Sequence, residues 1–216
     1  MKAVVVAHGE AEDADRRHLA GADLVIAADG GALLLERWGI RPSVVIGDLD
    51  GLGSARAAAL ERIGVTVVRA PTTKDETDTE LAMAHALARG ASEIVLIAGF
   101  GGPRDDHALA NALLLADARL RGIVVCAVRG ATTVRAVFGG DRLVLRGGPG
   151  DVVSLLPVGG DATGVTTEGL RYPLKGDTLR IGAARGVSNL VERVPASVTL
   201  GRGTLLVFEI PDGGAA

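Results

Sequence analysis

Up to about residue 135 the chain alternates short apolar runs with longer segments of helical period. The runs are AVVVA (3–7), LVIAA (24–28), SVVIG (43–47), VTVVR (65–69), EIVLIA (93–98) and IVVCAV (123–128). They are rich in Val and Ile and show little polar alternation, which is the pattern of parallel strands covered on both faces. Helical periodicity predicts helices near 11–20, 31–38, 54–63, 78–89 and 106–120. Repeated strand–helix alternation predicts a parallel α/β sheet. After about residue 140 the helical period fades. DRLVLRG, DVVSLLPVG, GVTTEGL, TLRIG, LVERVPASVTLG and GTLLVFEI are short and bounded by turn residues, and RGGPGD (146–151) reads as a turn between two strands. The predicted fold class is α/β. An N-terminal parallel-sheet domain (1–138) precedes a C-terminal all-β sandwich (139–212), and residues 213–216 read as a disordered tail.

Composition narrows this picture. Hydrophobic residues make up 48% of the chain but aromatics only 2%, so the core is to be built from Ala, Val, Leu and Ile. A formal charge of −3 provides no basic field to draw the chain onto nucleic acid. The single cysteine, Cys126, lies within an apolar run and reads as a small buried side chain. With no second cysteine there is no internal disulfide, which suits a reducing cytoplasm. The opening MKAVVVAHGE is too short for a signal-peptide core. No run approaches the roughly 18 apolar residues of a membrane span, so no membrane partner is expected.

The candidate chemistry sits in four loops that follow predicted strands, where open α/β sheets bind ligands. These are ADGGA (28–32), GDLDG (47–51), APTTKDETDTE (70–80) and GFGGPRDDH (99–107). In an extended chain the side chains of Asp48 and Asp50 point the same way, so both could hold one hard cation such as Mg2+; the alternative is a solvated Asp-Gly turn. Thr77 and Glu80 have capping-box spacing, which starts a helix near Asp78. Capping explains neither Lys74 nor Asp75, and a lysine among carboxylates at a helix start suits a phosphate-plus-metal site. Asp78 could then face the Asp48–Asp50 ion. Arg104 could grip a phosphate, and Asp105, Asp106 and His107 open the next helix, with Asn111 one turn on from His107. His8, His18 and His85 show no partner pattern. The chain has no P-loop motif, no G-x-G-x-x-G after the first strand and no zinc-ligand spacing.

As an ordered set, ADGGA, PSVVIGDLDG, KDETDTELA, GGPRDDHALANALLL, SLLPVGG, GVTTEGLRYPL and GVSN resemble the thiamine pyrophosphokinase (thiamin diphosphokinase) family. The match spans roughly residues 24 to 190. The resemblance implies an α/β domain followed by a β-sandwich, and transfer of the diphosphate of ATP to the hydroxyl of thiamine with release of AMP. It implies that Asp48, Asp50 and Asp78 hold Mg2+, and that Asp29, Gly30, Lys74, Arg104 and Asp106 meet the nucleotide or its metals. Ser188 and Asn189 match positions near thiamine, and a homodimer with shared active sites is implied. The family usually carries Phe and Ser where this chain has Leu49 and Gly51. Pro103 stands for a glycine and Asp105 for an apolar residue. Asp78 and Asp106 are the candidates for a base, and Trp38 and Tyr172 for stacking on thiamine. Three other functions stay open on the residues: a pyrophosphokinase acting on another alcohol such as a hydroxymethyl pterin, a non-catalytic nucleotide or thiamine binder, and a DxD phosphatase.

Overall fold

A strand buried on both faces needs apolar residues at every position, and the N-terminal runs supply them. In the computed structural model, which describes residues 1–212, the six runs form strands, though the expected cover on both faces fails for the run 65–69, which lies at the sheet edge and is largely exposed. They are β1 (Lys2–Val6), β2 (Leu24–Ala28), β3 (Val44–Gly47), β4 (Thr66–Arg69), β5 (Glu93–Ile97) and β6 (Val124–Arg129). All five pairings among them are parallel, in the order β4-β3-β2-β1-β5-β6. Val4, Val6, Val45 and Ile97 are completely buried, and Cys126 is buried with them. The helices are α1 (Gly31–Arg37), α2 (Ser54–Arg62), α3 (Asp78–Ala88) and α4 (Asp105–Leu114). The chain winds from β1 out to β4, then returns to β5 on the other side of β1. The carboxyl ends of β1 and β5 therefore flank the topological switch point, where ligands bind in sheets of this kind.

Two predicted helices come out differently. The segment 11–20 holds a 3-10 helix over Asp13–Leu19, in which Glu12 and Asp15 cap each other's backbone N–H groups. The segment 106–120 is α-helical only to Leu114 and resumes as a 3-10 turn over Ala118–Leu120. Asp117 accepts a hydrogen bond from Arg119 N at 2.8 Å, and a side chain that bonds its own backbone competes with helix propagation.

The second compact unit is antiparallel throughout. It contains β7 (Thr132–Phe138), β8 (Arg142–Val144), β9 (Val152–Glu168), β10 (Lys175–Leu179), β11 (Asn189–Leu190), β12 (Ser197–Thr199) and β13 (Arg202–Ile210). DVVSLLPVG and GVTTEGL, expected as separate strands, both lie in the 17-residue β9. Gly159 and Gly164 have positive φ, so the turn residues bend this strand without ending it. The first half of β9 pairs with β11 and β13, the second half with β10 and β12. Leu155, Val165, Leu179 and Leu205 fill its core. The compact units are Met1–Leu114 with Gly122–Gly130, and Leu115–Arg121 with the chain from Ala131 onward. Strand β7 pairs with β13 and belongs to the second unit, whereas a boundary after residue 138 places it in the first. The expected tail, 213–216, lies outside the described residues. Among the described residues, no helix is long and apolar enough to cross a membrane.

Candidate active site

The loops after β1, β2, β3 and β5, with the segment leading into α3, line one cleft of about 520 Å³ in the first unit. Asp29 follows β2 with φ 42 and is buried. It can stand there because ADGGA carries no side chain at the next two positions. A Cβ at Gly31 would overlap the Val6 carbonyl, and one at Gly30 would overlap the His8 ring. Asp29 accepts from Gly51 N through Oδ2 (2.8 Å) and from Leu52 N through Oδ1 (3.1 Å), so its carboxylate fixes the GDLDG loop.

That loop is not extended. Leu49 takes a left-handed conformation (φ 69) and buries its side chain in the core, while Asp48 Oδ1 accepts from Asp50 N at 3.3 Å. Asp48 and Asp50 therefore sit on a turn and not on an extended segment, yet their carboxylates stay close enough to interact and both line the cleft. The three carboxylates that converge are Asp29, Asp48 and Asp78, each offering an oxygen within 4.8 Å of the others. Asp50 lines the same cleft but is not one of the three. The Asp48 carboxylate beside it, reinforced by Asp29, holds the Asp50 carboxyl above its ordinary pKa.

Asp78 is placed by its helix cap. Thr77 Oγ1 accepts from Glu80 N at 3.1 Å, and α3 starts at Asp78 as the capping-box spacing predicts. Lys74 Nζ sits 2.9 Å from Asp78 Oδ1 and 3.7 Å from Asp48 Oδ2. Burial alone would lower the Lys74 pKa, but Asp78 and then Asp48 outweigh it and hold the ammonium above its ordinary value. Asp78 Oδ1 is thus ion-paired with Lys74, and a carboxylate oxygen has a second lone pair to offer. One ammonium cannot neutralise three carboxylates. Hard oxygen donors and excess negative charge together fit a divalent cation such as Mg2+.

The far wall comes from the glycine loop and α4. Asn111 is buried and donates from Nδ2 to Gly99 O at 2.9 Å, which secures the glycine loop. Arg104 and His107 line the cleft. Arg104 forks onto Asp106 through Nε (2.9 Å) and Nη2 (2.7 Å), and both side chains are largely exposed. That bond, first among its causes, holds Asp106 far below the ordinary carboxylate range. Asp106 itself does not line the cleft. Trp38 is buried in the core and donates Nε1 to Asp13 Oδ1 at 3.2 Å, so its ring serves packing.

Ser188 and Asn189 lie in the second unit. Ser188 has φ 60 and donates its N–H to Ser154 Oγ. Asn189 Oδ1 accepts from Tyr172 N (3.0 Å) and Leu190 N (2.9 Å), and its Nδ2 donates to Tyr172 O (2.8 Å). Its amide therefore holds the Tyr172 backbone, whose side chain is largely exposed. The residues that sequence reasoning passed over are His8 and Gly9, which line the cleft at the end of β1. The available signal was topological, because β1 is the strand at which the winding reverses.

A family model described as thiamin pyrophosphokinase, catalytic domain, matches residues 16–127. A second, thiamin pyrophosphokinase, vitamin B1 binding domain, matches residues 142–205. The thiamine pyrophosphokinase of Bacillus subtilis (strain 168) is 25% identical over 189 residues, covering 88% of each chain. A crystal structure of thiamine pyrophosphokinase from Bacillus subtilis shares the fold with a TM-score of 0.86, at 24% identity, over 98% of this chain and all of that one. The yeast thiamin pyrophosphokinase structure does so at 0.79 and 16% identity, over 97% of this chain and 86% of that one. The chain, matched over more than half its length by the catalytic-domain model, belongs to the thiamin pyrophosphokinase family.

Proposed function

We propose that this protein is a thiamine diphosphokinase that uses ATP and Mg2+. One observation carries the reading: carboxylates from three separate segments, Asp29 after β2, Asp48 after β3 and Asp78 at the start of α3, converge beside Lys74 at the carboxyl edge of the sheet. In the reaction the thiamine hydroxyl oxygen bonds to the β-phosphorus of ATP, and the bond from that phosphorus to the oxygen bridging to the α-phosphate breaks. AMP leaves with the bridging oxygen, and the hydroxyl proton passes to a base or to water. Mg2+ held by Asp29, Asp48 and Asp78 would polarise the phosphoryl oxygens and offset charge on the leaving group. Lys74 brings a fixed positive charge to the same oxygens. Arg104, released from Asp106, is placed to grip the outer phosphates across the cleft. Asp50 adds an acceptor at the mouth. Most of the rate acceleration then comes from alignment of the two substrates.

The finer organisation is part of the same proposal. The first unit, Met1–Leu114 with Gly122–Gly130, forms the ATP-binding domain. The second forms a β-sandwich that carries thiamine near Ser188 and Asn189, with Tyr172 as its exposed ring. The protein acts in the cytoplasm as a homodimer with shared active sites. The test is to incubate the protein with ATP, Mg2+ and thiamine and to quantify both products. AMP and thiamine diphosphate should appear in equal amounts, and Asp48→Asn should cut turnover by roughly 10³-fold. Diphosphate transfer only to another alcohol, nucleotide binding without AMP, or free phosphate from monoesters would each replace this reading.

A further inference from the structure

The cleft has a member with no role so far. His8 follows β1, the central strand, and its backbone is held firmly. Gly9 N donates to Ala98 O and Glu10 N to Phe100 O, both at 2.8 Å, so the β1–β5 ladder continues through the loop. A Cβ at Gly9 would lie 2.5 Å from Ala98 O, and glycine permits that approach. The His8 ring rests on two more positions without side chains. A Cβ at Gly30 would overlap its Nδ1 edge, and one at Gly51 would come within 3.3 Å of Nδ1. The Nδ1 side of the ring thus lies against the glycines, and His8 lines the cleft. The side chain is exposed, and no hydrogen bond or ion pair of its ring is found among the described residues.

Position gives this unpartnered imidazole its meaning. The carboxylates come from the loops beyond β2 and β3 and from the start of α3, and Lys74 from the segment between β4 and α3, while Arg104 comes from the far side, beyond β5. The sheet order puts the end of β1 between these walls. A diphosphate held by both must cross His8. The ring abuts Gly51, which is bonded to Asp29, so it stands at the metal end of the cleft and faces phosphate oxygens ahead of a nucleoside.

Resting on the function proposed above, we propose that His8 contacts the transferred diphosphate directly, with Nε2 hydrogen-bonded to an oxygen of the β- or γ-phosphate. The test uses α,β-methylene-ATP with Mg2+, which cannot undergo transfer because the bond to be broken is replaced, and AMP, which lacks the diphosphate. Calorimetry with His8→Gln and His8→Ala should show affinity for the analogue reduced about tenfold or more, with AMP affinity unchanged. In the wild-type protein the His8 imidazole nitrogen resonance, assigned by its loss in His8→Gln, should shift with the analogue and stay fixed with AMP. Unchanged analogue affinity, equal losses for analogue and AMP, or an unmoved resonance would each overturn the proposal. A wild-type protein that binds the analogue yet makes no thiamine diphosphate would remove the proposed reaction, and the binding data would still decide the role of His8. If it bound no nucleotide, both would fall.

Discussion

Gly51 shows how closely single residues are fitted here. Its N–H donates to Asp29 Oδ2, and a Cβ at this position would overlap that same oxygen. Replacing Gly51 by Ala should push the Asp29 carboxylate off the Gly51 and Leu52 amides and disturb one of the three converging acids. We expect the Mg2+ concentration for half-maximal activity to rise roughly 10-fold, the scale seen when a support of a metal ligand is lost. An unchanged Mg2+ requirement in Gly51→Ala would show that Asp29 acts independently of this loop. The carboxylates themselves were legible as residues, because acids at the ends of parallel strands have few structural reasons to be there. Which three meet was not legible. The left-handed turn at Leu49 depends on that side chain finding the core, a tertiary fact that the spacing of Asp48 and Asp50 does not carry.

Among the elements, α3 links local sequence to site geometry most plainly. Its cap was readable from Thr77 and Glu80, and the cap puts Asp78 in the first turn, next to Lys74. The same helix contains His85, whose Nε2 is buried without a hydrogen-bond partner. Burial, with a smaller contribution from Arg89, holds its pKa below the ordinary histidine value. The neutral ring is therefore favoured in the folded state, and the unfolded chain takes up the proton first as pH falls. This group leaves stability intact above about pH 6.5 and subtracts from it as pH drops through that value toward the folded pKa. His85→Gln should lose this acid-side penalty. Urea unfolding at neutral and mildly acidic pH should show the wild-type protein losing ground to the variant as pH falls. A difference that does not change with pH would contradict the assignment. The continuity of β9 was hidden from sequence reading for a related reason. Gly159 and Gly164 signal turns in isolation, and only pairing with β10, β11, β12 and β13 turns those signals into bends.

At the scale of the whole molecule, the chain divides into two compact units, each with its own aliphatic core, and the break at Gly130–Ala131 comes ahead of the point where the helical period fades. The second unit also contains a buried ion pair. Arg135 Nε donates to Glu209 Oε1 at 2.8 Å, Arg135 Nη2 donates to Val144 O, and Glu209 Oε2 accepts from Arg146 N. The pair ties β7 and β13 to the end of β8, and no motif announced it because its members are 74 residues apart. Glu209→Ala would leave the Arg135 charge buried and unpaired, at a cost of about 3–5 kcal/mol in denaturant unfolding. A loss within the range of surface substitutions, about 0.5 kcal/mol, would mean the pair is effectively solvated.

The proposed chemistry depends on one divalent ion gathered by Asp29, Asp48 and Asp78. Anomalous scattering from crystals grown with Mn2+ and α,β-methylene-ATP tests it directly. We predict a manganese peak in contact with the Asp48 and Asp78 carboxylates and with the bound phosphates. A nucleotide bound in the cleft with its metal remote from both aspartates, or with no metal beside them, would contradict it.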